Sequence, residues 1–129
     1  MVKRKLVSVV DDDAFVREAL PDLLRSFDLE AQPFSSAAEF LASESLDRTG
    51  CLVLDVTMPG MTGPELQLEL AARRCDIPIV FITADADEGL GPKLLRRGAV
   101  AFLEKPFSEA AMIAAVNAAL DSGTDVLCD

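Results

Sequence analysis

The stretch Leu6-Val7-Ser8-Val9-Val10, followed directly by Asp11-Asp12-Asp13, is the part of the sequence that decides the fold. Its five residues are mostly β-branched and apolar, and they do not alternate with charged residues. That composition is typical of a strand buried on both faces of a parallel sheet. The three acids mark the carboxyl end of the strand. We therefore predict an α/β protein that begins with a buried strand.

Further apolar runs recur along the chain, separated by amphipathic segments. We predict buried strands at residues 51–54, 77–82 and 100–103, and a weaker strand at 30–34 that suits a sheet edge because it contains Pro33. The first amphipathic segment has one apolar stripe, made of Val16, Leu20, Leu23, Leu24 and Phe27. Five strands alternating with five helices predict a three-layer, doubly wound (βα)5 fold with a parallel sheet and right-handed crossovers.

Capping residues predict where several helices begin. Ser36 with Glu39, and Thr62 with Glu65, have the form of a capping box, in which two side chains satisfy each other's backbone N–H groups. Ser108 has the position of an N-cap before an Ala-rich helix that runs to about residue 120. Helices are therefore expected directly after each of these three hydroxyl residues.

Two segments depart from ordinary helical sequence. Pro21 lies inside the first helix, where it removes a backbone donor and predicts a kink. Residues 84–92 are rich in Asp, Gly and Pro, so we expect a long, mobile loop there. The fourth helix should then begin late, near Pro92, and end at Gly98, because Pro favours helix starts and Gly favours helix ends.

Length, composition and charge limit the possible domain organisation and function of the chain. A chain of 129 residues with 50% hydrophobic residues fits one domain, which we assign to residues 1–121, with residues 122–129 as a tail or linker stub. The formal charge of −10 argues against general affinity for nucleic acid. No apolar run has the length of a signal core or a membrane span, so we expect a cytoplasmic protein.

The cysteine and histidine content narrows the chemistry further. Cys51, Cys75 and Cys128 are odd in number and lack metal-ligand spacing, which predicts free thiols in a reducing compartment. The sequence contains no His, which removes imidazole from any metal site and excludes His-based acid–base catalysis. Any metal site must therefore be built from oxygen ligands.

Polar residues follow the predicted strands where a parallel sheet binds ligands, beyond the carboxyl ends. Asp11 and Asp12 follow the first strand and Asp55 the third, while Thr83 and Lys105 follow the fourth and fifth. Carboxylates on adjacent strands repel unless a cation lies between them, and oxygen ligands suit Mg²⁺ or Mn²⁺. An amine and a hydroxyl opposite the metal complete a pocket for a phosphoryl group, and a carboxylate can be the nucleophile.

Each of these residues has an ordinary structural interpretation when it is taken alone. Acids after a strand often cap the next helix, and we assign that role to Asp13. Thr83 alone is more often a strand-end hydroxyl, and Lys105 alone a solvated charge. The functional hypothesis depends on their joint placement at successive strand ends.

Four motifs resemble the receiver domains of two-component systems, over roughly residues 5–121. The motifs are Val9-Val10-Asp11-Asp12-Asp13, Leu54-Asp55-Val56-Thr57-Met58-Pro59-Gly60-Met61-Thr62-Gly63, Ile82-Thr83-Ala84 and Phe102-Leu103-Glu104-Lys105-Pro106-Phe107. Their sequences are most similar to those of the FixJ-type subgroup of the CheY-like superfamily. The resemblance implies the flavodoxin-like strand order 2-1-3-4-5, which is the order found in the receiver CheY.

The resemblance also implies a role for each site residue. Asp55 is the expected phosphoacceptor, and Lys105 is expected to bind the phosphoryl oxygens after a cis peptide bond to Pro106. Thr83 and Phe102 are expected to form the conformational switch. The implied metal ligands are Asp12, Asp55, the Thr57 backbone carbonyl and, through water, Asp11.

Partners follow from the same resemblance. A sensor histidine kinase or phosphotransfer protein would donate the phosphoryl group, commonly docking on the first helix. The signal would leave through the face formed by the fourth helix, fifth strand and fifth helix, which in this family often drives homodimerisation on phosphorylation. FixJ-type proteins usually continue into a helix-turn-helix DNA-binding domain, so we expect either a stand-alone receiver or a part of a longer regulator, itself without direct nucleic-acid binding.

Three alternatives remain open. A pseudo-receiver would keep the fold as a binding module without phosphorylation, although no expected acid, Thr or Lys is missing. A phosphohydrolase with an Asp nucleophile would need a second carboxylate two residues later, where Thr57 stands. A flavin-binding flavodoxin is disfavoured because the acidic loop after the first strand would repel a phosphate.

Overall fold

The computed structural model describes residues 5–84 and 89–122, which form alternating strands and helices. In chain order the elements are β1 (Leu6–Val10), α1 (Ala14–Ser26), β2 (Glu30–Phe34), α2 (Ala37–Leu41), a 3₁₀ turn (Glu44–Arg48), β3 (Thr49–Asp55), α3 (Gly63–Ala72), β4 (Ile79–Thr83), α4 (Leu90–Arg96), β5 (Ala101–Glu104) and α5 (Glu109–Ser122).

The five strands form one parallel sheet in the order β2-β1-β3-β4-β5. This confirms the predicted α/β class and the strand order implied by the resemblance. Strand order reverses between β1 and β3, because β1 pairs with both β2 and β3. The carboxyl ends of β1 and β3 therefore flank the crevice where this type of fold binds ligands.

Each face of the sheet carries its own hydrophobic core, because successive side chains of a strand point to opposite faces. On β3, Leu52 and Leu54 belong to the core that includes residues of α2, α3 and α4. Cys51 and Val53 belong to the other core, which includes residues of α1 and α5. Burial on both faces explains why the strand sequences are apolar without alternation.

Strand positions agree closely with the prediction, and the differences have local causes. β1 and β2 have the predicted bounds, whereas β3 begins two residues early because Thr49 pairs with Leu6. β4 begins at Ile79 rather than at residue 77, directly after Pro78, which has no backbone N–H for the ladder. β5 begins and ends one residue later than predicted.

The start of α4 corrects the sequence prediction. The helix begins at Leu90, two residues before Pro92, so the expected loop does not extend to Pro92. Pro92 lies in the first turn, where backbone N–H groups have no partner within the helix and a missing donor costs little. Gly98, with φ of +105°, follows the helix end as predicted. Residues 85–88 of the expected mobile loop lie outside the described residues.

The predicted N-caps of α2, α3 and α5 are all present, but the predicted capping box of α2 is incomplete. Thr62 and Glu65 form the full capping box of α3, and Ser108 accepts a hydrogen bond from the Ala111 N–H at 3.0 Å. Ser36 accepts from the Glu39 N–H at 3.1 Å, but the Glu39 carboxylate accepts from the neighbouring Ser35 hydroxyl, so this box is only half made. α5 continues to Ser122, one residue into the expected tail, and residues 123–129 lie outside the described residues.

The cysteines correct a second prediction. Cys51 is a free thiol, and complete burial raises its pKa to about 12. Cys75 is disulfide-bonded rather than free. Spacing along the chain did not reveal this because pairing depends on approach in space. Cys128 lies outside the described residues. None of the helices over residues 5–84 and 89–122 is long and apolar enough to cross a membrane.

Candidate functional site

Five predicted site residues lie together at the carboxyl edge of the sheet. Asp11 and Asp12 directly follow β1, and Asp55 and Thr83 are the last residues of β3 and β4. Lys105 follows β5, and its backbone N–H donates to the Thr83 carbonyl at 2.7 Å. The parallel arrangement places these strand ends at one edge, which is why residues far apart in sequence form one site.

Asp11 is held firmly by the backbone and by a helix. Its side chain is completely buried, and its Oδ1 accepts a hydrogen bond from the Asp13 N–H at 2.9 Å. Its own N–H donates to the Phe34 carbonyl at 3.1 Å, and its carbonyl accepts from Arg17 Nη1 at 3.0 Å. Asp11 therefore has a fixed backbone as well as a fixed carboxylate.

The next two acids have different environments and different roles. Asp13 caps α1, because its carboxylate accepts from the Phe15 N–H at 2.9 Å. This confirms the structural role predicted for it. Asp12 is exposed at the edge of the site, where its carboxylate is open to solvent.

Lys105 lies between the two buried carboxylates. Its Nζ donates to Asp11 Oδ2 at 2.8 Å and lies 3.9 Å from Asp55 Oδ1. Partial burial lowers the pKa of Lys105, but the hydrogen bond and charge of Asp11, with smaller contributions from Asp55 and Asp13, raise it overall. The ammonium therefore remains charged and offsets part of the repulsion between the carboxylates.

Asp55 is 5% exposed and has a perturbed acidity. Burial first, and then the charge of Asp11, raise the pKa of Asp55 to about 7. The charge of Lys105 and a hydrogen bond from the Thr57 backbone N–H act in the opposite direction. A carboxylate that is costly to ionise favours a bound cation beside it.

The three acids fit a hard divalent cation. Asp11, Asp12 and Asp55 each offer one oxygen, and these oxygens lie within 4.8 Å of one another. Ligands of an octahedral Mg²⁺ ion at about 2.1 Å are roughly 3 to 4.2 Å apart, so a small closure or one bridging water brings the set into range. An all-oxygen set with one exposed member also suits Mg²⁺, which usually retains several waters.

Thr83 and Phe102 lie on the same face of the sheet. Phe81 pairs in register with Phe102, and Thr83 is two residues further along β4, so all three side chains point towards the α4 side. Thr83 is 1% exposed, whereas Phe102 is partly buried against the core. The peptide bond between Lys105 and Pro106 is cis. The predicted switch residues are thus neighbours across two strands.

Two residues of the site were not found from the sequence. A Cβ at Gly63 would collide with the Asp55 carbonyl and lie 3.0 Å from the Val56 Cα, so only glycine lets α3 begin this close to β3. In the sequence, Gly63 was noted in the Thr62 cap and at the end of the second receiver motif, without a role of its own. Arg17 contacts the carbonyl of Asp11, a link between strand end and helix that no local spacing rule signals.

Comparisons with known proteins agree with this geometry. The family model described as the response regulator receiver domain matches residues 7–117. The transcriptional regulatory protein FixJ of Azorhizobium caulinodans is 49% identical over 115 residues, covering 88% of this chain and 54% of that protein. Nodulation protein W of Bradyrhizobium diazoefficiens is 44% identical over 118 residues, covering 92% of this chain and 52% of that protein. The chain thus spans about half the length of these curated relatives.

Solved structures show the same similarity. The crystal structure of FixJ-N superposes with a TM-score of 0.86 at 33% identity, covering 97% of this chain and all of that one. The low-resolution structure of the response regulator StyR gives a TM-score of 0.83 at 45% identity, covering 92% of this chain and 60% of that one. The chain therefore belongs to the response regulator receiver domain family of two-component systems, and within it to the FixJ-type receivers.

Proposed function

We propose that this receiver domain is phosphorylated on Asp55 in a reaction that requires Mg²⁺ or Mn²⁺. The observation that carries the proposal is the placement of a buried nucleophilic carboxylate with a lysine ammonium 3.9 Å away and two further acids within 4.8 Å. A carboxylate, a charge-compensating amine and a set of hard oxygen ligands are the groups that phosphoryl transfer needs.

Asp55, Lys105 and the cation ligands have separate roles in the proposed phosphoryl transfer. An Asp55 oxygen attacks the phosphorus of a phosphohistidine, an O–P bond forms, and the P–N bond to the departing imidazole breaks. Lys105 binds a phosphoryl oxygen, which requires its Nζ to turn from Asp11, now 2.8 Å away. Asp12, Asp55, the Thr57 backbone carbonyl and, through water, Asp11 would hold the cation, which would supply positive charge beside the phosphoryl oxygens.

The signal is proposed to leave through Thr83 and Phe102. The Thr83 hydroxyl would turn towards the phosphoryl group, and the Phe102 ring would move inward on the same face of the sheet. The surface formed by α4, β5 and α5 would then change and allow phosphorylation-dependent homodimerisation. Leu95 of α4, which is 44% exposed, is an apolar group available for such a contact.

A groove beside the site supports a phosphodonor protein as the partner. It lies between α1 and the β5–α5 loop and has a volume of about 520 Å³. Phe15, which is 76% exposed, lies along it with Leu23 and Phe107, and Lys105 lines the end next to Asp55. A cytoplasmic histidine kinase or phosphotransfer domain seated here would bring its phosphohistidine to Asp55.

The relatives suggest a wider setting for the domain. FixJ is named a transcriptional regulatory protein, and this chain matches about half of it. We therefore include in the proposal that the domain, over residues 1–121, controls an output module in a regulator of that kind. The domain itself, with a formal charge of −10, is not expected to bind nucleic acid directly.

Phosphorylation by a small donor tests the proposal directly. Incubation with acetyl phosphate and Mg²⁺ should add a single phosphoryl group by intact mass, and Asp55→Asn should abolish it. Asp22→Asn is the matched control, because the Asp22 side chain is 80% exposed on α1. Absence of an adduct on the wild type would favour the pseudo-receiver. Continuous hydrolysis of many phosphate esters would favour the phosphohydrolase.

A further inference from the structure

Arg17 makes a contact that the proposed chemistry does not use. It lies in the first half of α1, and its Nη1 donates to the backbone carbonyl of Asp11 at 3.0 Å. The guanidinium thus joins the helix to the peptide group that follows β1. The guanidinium contacts the backbone carbonyl oxygen of Asp11 and not one of the carboxylates of the acidic site.

The Asp11 carbonyl lies just beyond the last residue of β1 that pairs with a neighbouring strand. Val10 is the last residue of β1 paired with either neighbouring strand, opposite Phe34 and Leu54. The Asp11 N–H still donates to Phe34, but the following peptide group extends beyond both ladders. Arg17 supplies a hydrogen bond at that point and so extends the fixed backbone by one peptide unit.

The orientation of this peptide group determines where Asp12 lies. The Asp11 carbonyl and the Asp12 N–H belong to one planar unit, so holding the carbonyl limits the direction in which the Asp12 side chain leaves the backbone. Asp12 is exposed and is not held by burial. We propose that Arg17 is a positioning residue that presents the Asp12 carboxylate to the cation, an inference that rests on the proposed cation-dependent function.

Charge and geometry make opposite predictions for the loss of Arg17. A positive charge near the site repels a divalent cation, so electrostatics alone predicts tighter Mg²⁺ binding when Arg17 is neutralised. A positioning role predicts weaker binding, because outer-shell partners of metal ligands typically contribute 10- to 100-fold in affinity. The sign of the change therefore separates the two effects.

Arg25 provides a matched control on the same helix. Its Nη2 donates to the carbonyl of Ala31 at 2.9 Å, which is the same kind of contact with the same sequence separation. Ala31 lies near the start of β2, at the opposite edge of the sheet from the site. Arg25→Met should therefore reproduce the structural loss of Arg17→Met without disturbing the cation ligands.

The test is calorimetric titration of the metal-free protein with MgCl₂, together with thermal unfolding in EDTA. We expect Arg17→Met to weaken Mg²⁺ binding by about tenfold and Arg25→Met to leave it within twofold of wild type. Arg17→Lys retains the charge but loses the planar fork, and should weaken binding severalfold. That variant keeps the test decisive if Arg17→Met does not fold.

The outcomes separate the inference from the proposed function. Wild type that binds Mg²⁺, with Arg17 variants that bind equally well or more tightly, would overturn the positioning role and leave the proposed function intact. Equal weakening by Arg25→Met would also overturn it, since the effect would then reflect general stability. Wild type that binds no Mg²⁺ would overturn both.

Discussion

Gly91 of α4 lies directly against the aromatic ring of Phe102. A Cβ at Gly91 would lie 3.2 Å from the ring Cδ1, which is closer than an ordinary van der Waals contact, and 3.5 Å from Cε1. The glycine therefore leaves the space that the ring occupies. Because Phe102 is the proposed switch residue, this contact would link the first turn of α4 to the proposed phosphorylation site.

We expect Gly91→Ala to displace the Phe102 ring. The added methyl group forces the ring or the helix to shift by a few tenths of an ångström, while the better helix propensity of Ala offsets part of the cost. NMR should show moved Phe102 ring resonances and a smaller change on phosphorylation. Gly89→Ala is the control, because a Cβ there meets no atom within 4 Å. Equal behaviour of both variants would argue against the coupling.

Gly63→Ala should destabilise the protein and damage the site. The new Cβ meets backbone atoms of Asp55 and Val56, which cannot yield as a flexible side chain can. We expect a loss of about 2 kcal/mol in the free energy of unfolding, measured in urea, with slower phosphorylation by acetyl phosphate. A variant as stable as wild type would show that α3 can move away without cost. Gly89→Ala again controls for the change in composition.

Asp55→Asn should stabilise the metal-free protein at high pH. The pKa of Asp55 is raised from 3.8 to about 7 in the folded protein, so the folded state holds the proton more strongly than the unfolded state. Wild-type stability should therefore fall relative to the variant as pH rises from about 4 to 7. At pH 8 in EDTA we expect the variant to be more stable by about 1 to 3 kcal/mol. At or below pH 4 the difference should be small.

Magnesium provides the check on that interpretation. Added Mg²⁺ should raise the melting temperature of wild type at pH 8 much more than that of Asp55→Asn, because the cation compensates the charge that the variant lacks. An advantage of the variant that is independent of both pH and Mg²⁺ would contradict the electrostatic cause.

Phe15→Ser should slow phosphotransfer from a protein donor only. Phe15 is 76% exposed beside the groove that leads to Lys105, so its loss removes contact area for a docked kinase. With a histidine kinase that phosphorylates the wild type, we expect a rate lower by about tenfold. Labelling by acetyl phosphate should be unchanged, because a small donor needs no docking surface. Phe27→Ser, at the far end of the same helix and 50% exposed, is the control.

The fold was largely predictable because its signals are local. The continuous apolar run Leu6–Val10 shows a strand buried on both faces, and Thr62 with Glu65 shows a helix start. The strand order was not contained in these signals and came from the resemblance. The start of α4 was misplaced because Pro92 was assigned to the helix boundary, whereas a proline is tolerated anywhere in the first turn.

The sequence predicted the residues that form the candidate site, but not the residues around them that shape and position it. Asp55 and Lys105 could be recognised because strand ends of a parallel sheet converge. Gly63 and Arg17 could not, because their roles depend on the approach of α3 to β3 and on a helix reaching across a loop. The disulfide at Cys75 escaped prediction for the same reason. Contacts between elements are set by tertiary packing, which local spacing does not encode.

The two outer strands of the sheet determine how copies of this domain could associate. An outer strand with free backbone groups invites strand addition by another chain and, from there, aggregation. β2 carries Pro33, which offers no N–H to an incoming strand, and β5 is only four residues long and ends in the charged Glu104. Both edges thus resist continuation of the sheet. Assembly of this domain should therefore proceed through side-chain surfaces, which the proposed phosphorylation would remodel, and not through backbone pairing, which it could not readily reverse.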